Sequence, residues 1–388
     1  MRVDFLVSDV SSPVIGPVTT LARHLEATHQ VRIVGPDLGH GVCAMYRDSF
    51  PYTVLPLPRM YRFPNYFTAA RKLSAELTGD VIIAVKAVGN TIPVALWTRR
   101  RTGCKVMAYL DEWDGAVTRM KPPGARAMDW LRHAHHPMED NYTSFVEGLI
   151  PRVDHVISTT TFLQAKFGGS VLPVGVDCDH FKPAPESDVR ALKLSLGLEG
   201  FKLIVFGGVA RPHKGLEWIL EAMAETGRTD LRFLVVGPRN EHAVELTRHP
   251  KWGSHVILAG PQPHDRMPLY LSLADLIVLP QKDNLLAQSQ MPCKVFEAMA
   301  MERPVIASAV ADLPAVLNGC GLTVPAGDVQ ALARAMGELL GDPGRARTLG
   351  ERARKKCIEK YSDMVTRRDL LAILDRFTVS ETQGAKSL

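Results

Sequence analysis

Two short segments in the second half of the sequence carry side chains suited to phosphate and hydroxyl groups. In Met291-Pro-Cys-Lys-Val-Phe-Glu-Ala-Met-Ala-Met-Glu-Arg-Pro-Val-Ile-Ala-Ser308, Lys294 and Glu297 fall on one face of an expected helix, Val295 to Met301. That helix follows an apolar strand and leads into a second one, Pro304 to Ser308. An ammonium and a carboxylate at a strand's carboxyl end fit a ligand bearing phosphate and hydroxyls. The competing reading is a surface ion pair of little energetic weight. The other segment, Val205-Phe-Gly-Gly-Val-Ala-Arg-Pro-His-Lys-Gly215, ends an apolar strand in Gly207-Gly208, where no Cβ keeps a ligand from the backbone. Arg211 and Lys214 follow in the loop before an amphipathic helix, near its positive end, which suits a diphosphate. The chain has neither a Walker loop nor G-x-G-x-x-G, so nucleoside triphosphate hydrolysis and dinucleotide binding lose ground.

These groups need elements to hold them. Apolar strands alternate with helical segments almost throughout, the pattern of an α/β protein with parallel sheets. The first half reads as strands at Val3–Val7, Val31–Val34, Val81–Val85 and Lys105–Leu110, with helices near Pro17–Ala27, Tyr66–Leu77 and Thr91–Arg100. Asp154–Ser158 and Ser170–Pro173 extend it, and the pattern restarts at Lys202–Phe206 after the polar stretch Phe181–Asp188. A chain of 388 residues exceeds one usual core, so two domains are expected, with the boundary near residue 180. Paired parallel sheets would face each other across a cleft at their strand carboxyl ends. Gly115 to Asn141, with Lys121-Pro-Pro-Gly124, reads as irregular and acceptor-lining. Tyr46 to Tyr66 reads as a half-buried connection; its aromatic and basic residues would also suit a lipid-linked acceptor.

Composition narrows the class. Apolar content of 46% and charged content of 22% are ordinary for a soluble globular protein, and no apolar run approaches a membrane span. Met1-Arg-Val-Asp-Phe-Leu-Val reads as a first strand rather than a signal peptide, because a carboxylate interrupts it. Six scattered cysteines without C-x-x-C fit reduced thiols in the cytoplasm and supply no zinc or disulfide framework. His133, His135 and His136 lack matched Cys or acidic partners, so no metal is expected there. The net charge of +5 decides little. Arg99-Arg-Arg101 and the span Arg119 to His136 are locally basic: a solvated face, or a landing surface for an anionic leaflet or acidic acceptor.

The Lys214 and Glu297 segments resemble the donor half of retaining GT-B glycosyltransferases, in particular glycosyltransferase family 4 (glycosyl transferases group 1). Val153-Asp-His-Val-Ile-Ser158, Val174-Gly-Val-Asp177, Phe233-Leu-Val-Val-Gly237, Leu273-Ala-Asp-Leu-Ile-Val-Leu-Pro280 and Gly321-Leu-Thr-Val-Pro-Ala-Gly-Asp328 follow in the family's order. The likeness covers residues 150 to 375 well and the first 150 loosely.

The resemblance implies two Rossmann-like domains. Residues 1–180 would bind the acceptor, with a helix at about 366–378 packing back on them; 181–365 would bind the donor; and 379–388 would form a flexible tail. It implies metal-independent transfer of a sugar from a nucleotide-diphosphate sugar to an acceptor hydroxyl, on a sugar, a lipid-linked sugar or a small molecule. Neither cofactor nor nucleic acid is expected, and the site would be cytoplasmic, with peripheral contact at the inner membrane face as an option. Lys214 matches the family's phosphate-binding lysine. The arginine usual five residues before it is Val209 here, leaving Arg211 or Lys294 to supply that charge. Glu297 matches the carboxylate that holds ribose hydroxyls, while Ser289 replaces the glutamate that contacts the transferred sugar. Gly208, Val295 and the backbone at Pro261 complete the donor set, with Gly16 standing where the family has a glycine-rich loop. Tyr109-Leu-Asp-Glu-Trp-Asp114 resembles an acidic stretch with Trp113 in place of its histidine, and gives Asp111 or Asp114 a role in orienting the acceptor or sugar; caps or turns are the alternative for both.

The favoured reading is a retaining glycosyltransferase. A sugar-nucleotide epimerase shares the fold but needs acid/base groups around the sugar, against which Ser289 argues. A non-catalytic binding protein is the third reading, kept open by Val209, Trp113 and Ser289.

Overall fold

The computed structural model describes residues 1–384. The chain divides into two compact units: Met1–Val174 together with the segment from Thr366 onward, and Gly175–Val365. The boundary lies a few residues ahead of the polar stretch expected to mark it.

In the first unit seven strands form one parallel sheet: β1 (Arg2–Leu6), β2 (Gln30–Asp37), β3 (Tyr52–Pro56), β4 (Val81–Val85), β5 (Lys105–Leu110), β6 (His155–Ser158) and β7 (Ser170–Val171). Their order is β3-β2-β1-β4-β5-β6-β7. Every residue of β4 is buried, as a central strand covered on both faces requires. Asp4 sits inside β1 at 1% exposure because its carboxylate is fully engaged. It accepts from Arg32 at 2.9 and 2.7 Å and from the backbone N–H groups of Thr78 and Gly79. Leu370, Ile373 and Leu374 of the final helix, Asp363–Gly384, join the core built on Val3, Phe5 and Ile83. Residues 379–384, expected to be tail, continue that helix, and 385–388 lie outside the described residues.

The second unit has β8 (Lys202–Gly207), β9 (Leu231–Val236), β10 (Val256–Gly260), β11 (Ile277–Leu279), β12 (Val305–Ser308) and β13 (Leu322–Val324). The parallel groups β10-β9-β8 and β11-β12-β13 meet at a parallel bridge between Ile204 and Leu276. Alternate residues of β8 feed separate cores: Leu203 and Val205 one, Ile204 and Phe206 the other. Helices therefore cover both faces, and each unit is a doubly wound, Rossmann-like α/β layer structure.

Two local expectations change. The connection through residues 46–66 contains the edge strand β3, in register with β2 from Ile33↔Tyr52 to Asp37↔Pro56. The stretch 115–141 is not irregular: helices run Ala116–Met120 and Pro123–His133. Pro122-Pro123 reads as a breaker, yet proline at the first helical position only removes an N–H that would be unpaired anyway.

Candidate functional site

In the second unit the strand ends converge on a ledge of glycines. β8 ends at Gly207, and Gly208 follows with φ +126°, a conformation that excludes other residue types. The Gly208 N–H donates to Val236 at 2.7 Å, and the Gly237 N–H donates to Gly260 at 3.0 Å. A Cβ on Gly237 would lie 2.1 Å from the Gly208 carbonyl oxygen, so backbone packs directly on backbone here. Pro261 comes next and is exposed.

Over this ledge lies Lys294. A Cβ on Gly208 would fall 2.5 Å from Lys294 Cε and 2.7 Å from Nζ, so the ammonium occupies the space the glycine leaves open. Lys294 begins the helix Lys294–Ala300, and Glu297 follows one turn later. Both line one small hollow with Gly207 and Leu279. Among the described residues neither forms an ion pair, which removes the surface salt bridge as the reason for their spacing.

Lys214 closes a short 3-10 turn, Pro212–Lys214, and Gly215, in the left-handed region at φ 63°, starts the helix Leu216–Glu225. Arg211, at the start of the turn, is exposed. Sequence reasoning missed Glu217, which already places a carboxylate in the first turn of that helix, 3.6 Å from Lys282 Nζ. Lys282 also ties this loop to the end of β11 by donating its N–H to the His213 carbonyl.

Three further residues of the expected donor set are placed as follows. Ser289 has no exposed surface, and its hydroxyl donates to the Leu286 carbonyl at 2.9 Å, closing a helical turn. Val295 is wholly buried in the core, and its N–H donates to Pro292 at 3.0 Å. Gly16 is not in a loop but in the first turn of the helix Ile15–Glu26, where a Cβ would lie 2.5 Å from the Tyr46 ring. Its role is to admit that ring.

In the first unit Asp111, Glu112 and Asp114 follow β5 and surround Lys86, the residue after β4. Lys86 Nζ bonds to Glu112 and stands 3.4 Å from Asp114 and 3.8 Å from Asp111. Lys86 has φ 70°, unusual for a residue with a side chain. Its N–H donates to Tyr109, its carbonyl accepts from the Thr91 hydroxyl at 2.6 Å, and the next N–H, of Ala87, donates to Asp114 at 2.8 Å. Burial pushes the Asp114 carboxyl up to about 6, with Lys86 opposing. Burial likewise raises Asp111, against the same lysine. For Lys86, burial works to neutralise the amine, but the carboxylates of Asp111, Asp114 and Glu112 outweigh it and hold the proton. The sequence reading found Asp111 and Asp114 but missed Lys86 and Glu112. The available signal was a lysine directly after a fully apolar strand, adjacent in the sheet to the acidic stretch. Trp113 is a packing residue: its Nε1–H donates to Glu147 at 2.7 Å, and Arg119 lies over its ring.

Two doubly wound parallel units in one chain are the GT-B architecture, and solved structures share it. Sucrose-phosphate synthase from Thermosynechococcus elongatus superposes with TM-score 0.76 at 19% identity, covering 98% of this chain and 100% of that one. HepE from Anabaena, solved with UDP-glucose, gives 0.73 at 18% identity, covering 97% and 100%. Residues 200–342 match the family described as Glycosyl transferases group 1. A GDP-mannose-dependent alpha-(1-6)-phosphatidylinositol monomannoside mannosyltransferase of Mycolicibacterium smegmatis is 29% identical over 215 residues, 52% of this chain and 56% of the relative. A D-inositol 3-phosphate glycosyltransferase of Nocardia farcinica is 32% identical over 197 residues, 47% of this chain and 42% of the relative. The chain spans about half the length of the curated relatives it matches.

Proposed function

We propose that the chain is a retaining glycosyltransferase that moves a sugar from a nucleotide-diphosphate sugar to an acceptor hydroxyl, in glycan, glycolipid or natural-product glycoside synthesis. The observation that carries this reading is the Lys294 ammonium lying over Gly208, without an ion-pair partner among the described residues, with Glu297 one turn away. A departing nucleoside diphosphate develops negative charge, and a cation held beside an open backbone stabilises it without having to reorganise. Lys214 and Arg211, on the loop that leaves the same strand, add charge for that group. With lysines and an arginine in that role, a metal ion is not required. Glu297 accepts from vicinal ribose hydroxyls, and Pro261 stands at the nucleobase side. In the first unit the Lys86 cluster is assigned to the acceptor side, with Asp111 or Asp114 accepting from the hydroxyl that attacks. Retention, and a place in glycosyltransferase family 4, rest on the resemblance of the Lys214 and Glu297 segments; free cysteines fit a cytoplasmic setting. Among the described residues no helix is long and apolar enough to cross a membrane.

Relatives named for GDP-mannose and a structure solved with UDP-glucose make GDP and UDP the first ligands to try. Calorimetric binding of UDP, GDP, ADP, CMP and dTDP without added metal is expected to single out one diphosphate, and the matching nucleotide sugars are then assayed for transfer. Binding of none, together with no turnover, would overturn the reading. Glu297→Gln is expected to weaken binding of that nucleotide about tenfold to a hundredfold, as loss of hydrogen bonds to a charged acceptor would. Unchanged binding would remove Glu297 from the site.

A further inference from the structure

The helix Pro123–His133 is inside out. None of its residues is buried, although it carries Met128, Trp130 and Leu131, which are 48%, 54% and 68% exposed. Two of its polar side chains, Asp129 and Arg126, are instead the ones tied to neighbouring residues. Lys121 Nζ reaches Asp129 at 2.7 Å, and Arg126 donates to the carbonyls of Lys121 and Arg119 at 2.8 and 2.6 Å. Asn141 donates to the Asp129 carbonyl at 3.0 Å. At 100° per residue, Asp129, His133 and Arg126 share one side of the helix, and Ala127, Leu131 and Met128 share the opposite one, with Trp130 at its margin. A helix that fastens itself by its polar side and turns its apolar side to water has an unfilled partner.

Charge identifies that partner. Arg126 and Arg132 flank the apolar stripe, while Asp129, the helix's one carboxylate, is neutralised by Lys121. The Tyr61–Phe63 segment adjoins the helix's end: the Phe63 N–H donates to the His135 carbonyl at 2.9 Å, and the Tyr61 and His136 rings stand 5.6 Å apart. Exposed Arg59 and Arg62 extend the positive rim there. An apolar stripe with a tryptophan at its margin and arginines around it matches the boundary between headgroups and acyl chains in an anionic leaflet. We infer that the helix Pro123–His133 docks the chain on an anionic lipid surface, burying Met128, Trp130 and Leu131 among the acyl chains. This goes beyond the glycosyl-transfer reading and does not depend on the donor site.

The test is co-sedimentation of the intact chain with phosphatidylcholine vesicles, with and without phosphatidylglycerol. Binding is expected only with phosphatidylglycerol, and high salt should reverse it. Leu131→Glu should reduce the bound fraction at least about tenfold, since it withdraws one large apolar side chain from the bilayer. Arg132→Glu should reduce it less. Because Leu131 is exposed, its variant should melt like the parent; Met128→Ser gives a second, milder check. The blue shift of tryptophan emission on vesicles should vanish in Trp130→Phe. Failure of the folded chain to bind phosphatidylglycerol vesicles, or equal binding by parent and Leu131→Glu, would overturn the proposal. So would equal binding to pure phosphatidylcholine, or a dimer abolished by Leu131→Glu, which would make a second copy the occupant. Nucleotide calorimetry on the same samples reports the donor site separately, so either reading can fail alone.

Discussion

Lys294→Met is expected to lower kcat/KM for the nucleotide-sugar donor about a hundredfold to a thousandfold, with the melting temperature unchanged. Removing one preorganised group from developing negative charge has an effect of this size. Methionine keeps most of the length of the lysine and fills the space over Gly208, so the change removes charge rather than packing. Among the described residues Lys294 has no ion-pair partner, so no carboxylate is left stranded and the fold has little to lose. Affinity for the nucleoside diphosphate should fall more than affinity for the monophosphate, because the second phosphate is the group the ammonium is assigned to. Steady-state kinetics and calorimetry with both nucleotides check this. Activity and diphosphate affinity at parental levels would remove Lys294 from the mechanism and leave Lys214 and Arg211 as the phosphate cations.

Lys86→Met is expected to act mainly on stability, and in a pH-dependent way. It leaves Asp111, Glu112 and Asp114 together without their counter-ion, and breaking a buried pair from one side costs about 3–5 kcal/mol. Lys86 keeps 15% of its side chain exposed, and its carboxylate partners keep between 8% and 26%, which places the expected loss toward the lower end. The sign follows from proton binding. A carboxyl whose folded pKa is raised binds more protons folded than unfolded, so stability falls as pH rises between the two values. For Asp114 in the parent that window ends at about 6. Without Lys86 it extends upward, because the influence that lowers Asp114 is gone. The variant's deficit in melting temperature should therefore be largest above neutral pH and shrink as pH falls. Lys86→Arg should recover most of it. A deficit independent of pH would mean that the loss comes from altered packing at position 86 and not from the carboxylates around it.

Much of the architecture was legible because it depends on local pattern. Apolar runs such as Val81–Val85 and Leu203–Phe206 announce strands covered on both faces, and their alternation with helical segments leaves few arrangements besides parallel doubly wound sheets. The pairing of Lys294 with Glu297 was legible for the same reason, since three residues along a helix is a local distance. What failed locally was punctuation. Pro122-Pro123 stopped the helical reading where it in fact begins a helix, and the short edge strand β3 hid in a stretch rich in proline and tyrosine.

The sequence by itself determined which residues carry charge, which runs must be buried, and that glycine stands at the end of β8. Tertiary structure alone decided what each meets there. Lys294 and Gly208 are far apart in the chain, and only the adjacency of strand ends sets the ammonium over the open backbone. Lys86 follows a different strand from Asp111, Glu112 and Asp114, and the pairing of β4 with β5 makes them one cluster. Ser289 and Val295 lie close to Lys294 in the sequence, yet packing buries both side chains while Lys294 lies over the open backbone of Gly208. Burial and contact are sums over the whole packed chain, so a linear motif can name a group without revealing whether it faces solvent, a partner or the core.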